Sequence, residues 1–534
     1  MQDMRFKYRW FMHDLARSRS FHREEFTELL SLLHRCGYNG IALYVEGFFQ
    51  FPQIPGIPRK GCMTKEDALW ARQEAKKYHL SIIPFTNLVG HAESFLCQER
   101  FRHLGKNSRQ FDMAHPSFHA FALSILDQFI ECFEPEYIHI GGDEVALNDE
   151  ELLLYASFLS DMGRYLKQKG IRTGIFGDML LSHPQLAKDI DKELIIFDWW
   201  YNGHRPESIR MLLNMGFSNL FVCPSTCTYN GIVATQYHCP WRNELPWNSA
   251  YPLKEDEIEA FLEDGISSGI QSALITDWEN LRGHTLWSGL MAIARAGHYM
   301  TGQPLDEESL ERTVFGRITP FSGCVRTLAS VQSEFIKQAE LLPGRMVTHH
   351  EGVRGVYIEA FMMKLLLCAG DYMSPELGSR FSLASQTVLS ILTSWTPESA
   401  LEDRARRTLR LSAGYAYMLS QIFGLANEGR TDYHAAAMVQ YTHYEEYLRL
   451  LRQVAERFSE ITAAYGSFAQ QEQDAIRDSG HTRTDLQELA RMAERFEQIT
   501  AALSEYLRPE YAQIALPCWE SLLQIAFVPV NINT

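Results

Sequence analysis

The chain has 534 residues, 46% of them hydrophobic and 22% charged, with a formal net charge of −16. That length holds a large barrel and a second domain, and the composition is ordinary for a globular protein. The acidic balance, without a Lys/Arg stripe, argues against nucleic acid as a partner.

From the first residues to about residue 300, short apolar runs alternate with amphipathic helical patterns. The expected strands are YRWFMHD (8–14), GIALYVE (40–46), LSIIPFT (80–86), YIHIGG (137–142), IRTGIFGD (171–178), ELIIFDWW (193–200), FSNLFVCP (217–224) and SALITDW (272–278). Helical segments such as 21–37 and 149–170 lie between them. Strands that read apolar almost throughout, joined by helices, predict a parallel sheet covered on its outer face. Eight such repeats match a (β/α)8 barrel better than an open doubly wound sheet, and no G-x-G-x-x-G turn follows the first strand. After GQPLDEE (302–308) the texture becomes long helical patterns over 305–534. The expected domains are therefore a barrel over 1–304 and an all-α region over 305–534, the latter for packing or self-association.

No run reaches about 18 apolar residues, so no membrane span is expected. The opening MQDMRFKYRW has no apolar signal core. The expected location is cytoplasmic, although a trimmed secreted chain would read the same. The ten cysteines are scattered, and Cys223, Cys227 and Cys239 lack paired C-x-x-C spacing. Reduced buried thiols are expected, with no metal and no cofactor.

In a (β/α)8 barrel, chemistry is placed at the C-terminal ends of the strands. Those ends carry Asp14, Glu46, Asn87 with His91, Asp143 with Glu144, Asp178, Asp198 with Trp199 and Trp200, Tyr229, and Asp277 with Trp278. A lone acid there is ordinarily structural, but a ring of acids and aromatics suits a sugar. Aromatic faces stack on pyranose C–H groups, and carboxylates accept hydroxyl hydrogen bonds. Retaining cleavage commonly uses two carboxyls about 5 Å apart across the bond. Asp143 and Glu144 are sequence neighbours whose side chains diverge, which suits them poorly to those two roles.

The run His139-Ile140-Gly141-Gly142-Asp143-Glu144 resembles the H-x-G-G-D-E signature of glycoside hydrolase family 20, the β-N-acetylhexosaminidases. Arg9, Asp14 and Arg17 resemble the family's R-x-x-x-x-D-x-x-R, and Gly90-His91 its P-x-x-D-x-P-G-H, with Asn87 replacing the acid. Pro224 and Tyr229 resemble its S-P-x-x-x-x-Y, and Trp278 its pocket-floor tryptophan. The similarity leans toward the hexosaminidase D-like branch, which lacks the N-terminal α/β domain.

This resemblance implies exo-hydrolysis of terminal β-linked GlcNAc or GalNAc, with the sugar's own acetamido oxygen as nucleophile. Glu144 would be the acid/base with a raised pKa, Asp143 would orient the acetamide and stabilise the oxazolinium, and Tyr229 would hold the acetamido oxygen. Arg9, Glu46, His91, Asp178, Asp198, Trp199, Trp200, Trp278 and Asn280 are the expected sugar contacts. Only one of Trp199 and Trp200 is expected to face the pocket. The acids that the family often carries two residues beyond the tyrosine and the last tryptophan are here Gly231 and Asn280. Two other readings stay open: a sugar-binding barrel without catalysis, and a relative specific for sulfated GlcNAc or a larger disaccharide unit.

Overall fold

The computed structural model describes residues 4–16, 21–54, 62–199, 205–226, 257–278, 286–339, 365–479 and 486–526. The expected repeats form eight parallel strands: β1 (Tyr8–Asp14), β2 (Gly40–Tyr44), β3 (Ser81–Phe85), β4 (Tyr137–His139), β5 (Arg172–Phe176), β6 (Ile195–Asp198), β7 (Leu220–Val222) and β8 (Ser272–Asp277). Each pairs with the next, and β8 closes on β1. The sheet is a closed barrel.

Two cores explain why these strands are apolar on both faces. Outward residues such as Phe11, Ile41, Leu43 and Ile196 lie beneath the helices. Trp10, Met12, Tyr44, Phe85, Phe176, Phe197 and Phe221 fill the lumen. Large lumen side chains need small residues opposite them. Gly40 provides one such gap, since a Cβ there would come within 2.4 Å of the Trp10 indole. Helix starts follow local chemistry, with capping boxes at Thr64 with Asp67 and at Asn148 with Glu151.

β1 ends at Asp14 as expected, and the other seven strands are shorter than expected at the ends that carry chemistry. β4 stops at His139, because Gly141 and Gly142 turn left-handed with φ of 77° and 93°. Beyond the barrel come the helices Glu307–Phe315, Phe321–Ala339, Glu376–Ser394, Ala400–Gly424, Arg430–Val439, Tyr444–Ser479 and Leu486–Tyr506. The pattern over 435–466 predicts one continuous helix, but two are found, broken between Val439 and Tyr444. In the break, the Gln440 amide donates to the Ile514 carbonyl and accepts from the Leu516 N–H.

The helical region shares a buried apolar cluster with the barrel's outer face and is also tied to it by charged side chains. Arg404 reaches Glu25 and Glu28 on the helix Arg23–Arg35 at 2.6 and 2.7 Å. Arg35 donates to the Thr313 and Val314 carbonyls. Among the described residues, no helix is long and apolar enough to cross a membrane.

Candidate active site

The site is built on the turn after β4. The His139 ring stacks on Phe85 at 4.2 Å and lies 4.2 Å from Phe176 and 4.8 Å from Phe197. Burial holds its pKa well below the usual imidazole value, so it is neutral. Its Nδ1 accepts the Gly141 N–H at 3.1 Å, which fixes the first residue of the turn. A Cβ at Gly141 would come within 2.3 Å of Asn87, and one at Gly142 within 2.9 Å of the Tyr155 hydroxyl. That hydroxyl donates to the Gly142 carbonyl. Both glycines are therefore required by space as well as by φ.

The turn delivers two acids into unlike surroundings. The Asp143 side chain is 7% exposed and the Glu144 side chain 39%. Asn87 Nδ2 donates to Asp143 Oδ1 at 2.6 Å, while Asn87 Oδ1 accepts the Gly142 N–H at 3.2 Å. His91 Nε2 lies 3.5 Å from Asp143 Oδ2 and 3.3 Å from Glu144 Oε2. Behind it, Nδ1 is 3.9 Å from Glu46 Oε1. Arg109 approaches Glu144 Oε2 at 3.6 Å and donates to Glu93 at 3.0 Å. Burial alone would lower the His91 pKa, but the charges and hydrogen bonds of Asp143 and Glu144 prevail and raise it well above the usual value.

Backbone strain converges on the same place. Among the described residues, five non-glycine positions have positive φ, and three are Glu46 (47°), His91 (47°) and Glu144 (50°). Such conformations cost about 1–3 kcal/mol each unless the surroundings impose them, and they cluster at functional sites.

Part of the chain is similar to known proteins. Residues 45–258 match the model of the glycosyl hydrolase family 20 catalytic domain. These residues, which lie within the barrel, are similar to that catalytic domain. A lacto-N-biosidase of Bifidobacterium bifidum is 23% identical over 300 residues, covering 47% of this chain and 26% of that protein. The chain thus aligns with about a quarter of that relative. A β-N-acetylhexosaminidase from Bacteroides fragilis superposes with a TM-score of 0.45 at 18% identity, covering 58% of this chain and 69% of the other. An exo-β-N-acetylglucosaminidase from Vibrio harveyi in complex with N-acetylglucosamine gives 0.41 at 17%, covering 56% and 55%.

The structure places the expected sugar contacts as follows. Arg9 is the second residue of β1, at the N-terminal end of the barrel, and its guanidinium donates to the carbonyls of Phe6, Lys7 and Gly37. The strand rises about 3.3 Å per residue, so Arg9 lies a barrel's depth from the chemistry. Asp198 has the outward parity of Ile196 and accepts the Ser208 hydroxyl at 2.6 Å, which ties β6 to the helix Arg205–Asn214. Trp199 shares the inward parity of Ile195 and Phe197 and packs on the lumen cluster. Trp278 also packs there, edge-on to Tyr44 at 5.0 Å. Asp178 stands behind Glu144 rather than in the open pocket, with Oδ2 accepting the Glu144 N–H at 2.9 Å. Tyr229, Trp200, Asn280 and Gly231 lie outside the described residues.

Sequence reasoning missed Arg109 and Gln110, which sit in the long connection after β3. The buried Gln110 amide accepts the Ala146 N–H at 3.0 Å and donates to the Ala146 carbonyl at 3.2 Å, clamping the chain just past Glu144. No local motif marks either residue. Asn87 also has its explanation, since an amide can donate to Asp143 where an ionised carboxylate could not.

Proposed function

We propose that this domain is an exo-acting β-N-acetylhexosaminidase that removes terminal β-linked GlcNAc or GalNAc with retention, using the substrate's acetamide as nucleophile. The observation that carries the reading is the pair itself: adjacent Asp143 and Glu144, one enclosed and one open, both touched by His91 Nε2. Such a pair serves two different atoms of one sugar.

The acetamido oxygen attacks the anomeric carbon as the glycosidic C–O bond breaks, and Glu144 gives its proton to the departing oxygen. Asp143 accepts the acetamide N–H and stabilises the positive charge that develops on the oxazolinium. Asn87 and His91 hold Asp143 against rotation, so little reorganisation is needed as that charge appears. Glu144, ionised beside His91 and Arg109, then takes a proton from water as water opens the oxazolinium at the anomeric carbon. Trp278 and Trp199 furnish apolar surface for the ring, and Tyr229 is assigned to the acetamido oxygen by its match to the family motif.

The deciding experiment is a panel of chromogenic β-GlcNAc, β-GalNAc and 6-sulfo-GlcNAc glycosides, with N-acetyl groups of increasing fluorination. The expected result is hydrolysis of the first two, with kcat falling at each fluorine. A trapped glycosyl-enzyme on a 2-fluoro sugar would overturn the mechanism, and inertness toward every glycoside would overturn the activity. The relative named as a lacto-N-biosidase motivates one added substrate, a β-linked disaccharide aryl glycoside. Its cleavage in preference to the monosaccharides would move the assignment to a larger unit.

A further inference from the structure

We propose that Asp178 is a positioning residue, whose carboxyl holds the Glu144 main chain in its left-handed conformation and thereby aims the acid/base side chain. The inference rests on the proposed role of Glu144 and assigns Asp178 a task other than touching sugar. Asp178 follows β5 and is 8% exposed. Its Oδ2 accepts the Glu144 N–H at 2.9 Å, and its Oδ1 is buried with no hydrogen-bond partner. The residue it holds has φ of 50°, which a non-glycine side chain adopts only when something outside it insists. On the near side, Tyr155 grips the Gly142 carbonyl, and on the far side Gln110 grips Ala146. Glu144 lies between these anchors, and Asp178 binds its N–H.

The electrostatics agree with a neutral clamp. Burial first, and then the neighbouring Asp143 charge, push the Asp178 carboxyl up to about 8. At neutral pH it is mostly protonated, and it can still accept the Glu144 N–H through one oxygen. A second full negative charge beside Asp143 is thus avoided. An asparagine could make the same bond through its amide oxygen.

The test exploits leaving-group chemistry. General acid catalysis is worth ~100-fold or more when the leaving group is poor, and little when it departs unaided. Phenyl and 2,4-dinitrophenyl N-acetyl-β-glucosaminides are compared on the full chain. Asp178→Ala should lose ~100-fold in kcat on the phenyl glycoside and under ~10-fold on the dinitrophenyl one, with KM nearly unchanged. Asp178→Asn should stay within ~3-fold of wild type on both. Equal losses on both substrates would indicate general damage, and a raised KM would indicate a sugar contact. Either overturns the proposal.

Amide hydrogen exchange at Glu144 supplies a readout that does not need turnover. It should be slow in wild type and Asp178→Asn and fast in Asp178→Ala. If Asp178→Ala fails to fold, Asp178→Asn decides alone: a loss above ~10-fold or a faster Glu144 amide overturns the proposal. If wild type cleaves no glycoside, the proposed function fails, while the exchange comparison still judges the clamp.

Discussion

At the residue scale, His91 is the hub, because one imidazole meets Asp143, Glu144 and Glu46. Its raised pKa makes it a cation whose stabilising effect is fully present below the unfolded value near 6.5 and fades as pH climbs through the higher folded value. His91→Asn should therefore lower the melting temperature most at pH 6 and progressively less in alkaline buffer, measured by differential scanning fluorimetry across pH. Asp178 works with the other sign of pair. Its folded pKa of about 8 lies above the ordinary carboxylate value of 3.8, so ionisation costs stability increasingly as pH rises from about 4 to about 8. Asp178→Asn should gain on wild type across that window and show no gain at pH 4. A third expectation concerns Asn87, which ties Asp143 to the glycine turn. Asn87→Ala strands two buried groups at about 1–3 kcal/mol each, and kcat should fall by ~10-fold or more with the sugar's KM little changed.

At the element scale, the eight strands were legible because a strand covered on both faces must be apolar along its whole length. What could not be read was parity. In ELIIFDWW every neighbour is apolar, so nothing in the pattern says that Phe197 and Trp199 face inward while Asp198 faces the helix. Arg9 was misread for another reason: spacing to Asp14 matched a motif, yet its place as the second residue of a strand already set it at the wrong end. The glycine turn was legible as a break, but its cause lies in Asn87 and Tyr155, distant in sequence. Gly141→Ala tests that account. With φ of 77° and Asn87 2.3 Å from the new Cβ, the variant should lose nearly all activity and several degrees of melting temperature.

At the scale of the whole molecule, the helical region is joined to the barrel by more than a tether. Arg35 of the barrel donates to the carbonyls of Thr313 and Val314, which fastens the helix Glu307–Phe315 to the barrel. Arg404, with its two carboxylates, is the clearest link beyond it. Arg404→Ala leaves the largely buried Glu25 without that partner, and the melting temperature should fall by a few degrees while activity at 25 °C is kept.

The aromatic filling of the lumen has a consequence for traffic. Trp10 packs against Phe221 at 4.5 Å and Tyr137 at 5.0 Å, and Phe197 stacks on Phe221 at 4.6 Å, so the barrel is stoppered beneath the acid pair. Among the described residues, the filled lumen offers no second doorway. A sugar that enters must leave by the route it came, and the next chain end waits outside until it has gone. On the proposed exo-acting function, released monosaccharide should consequently compete with substrate for the free enzyme, raising KM and leaving kcat untouched. Each glycan should also be shortened by one unit per encounter, which a time course of oligomer lengths would display as a ladder descending one rung at a time.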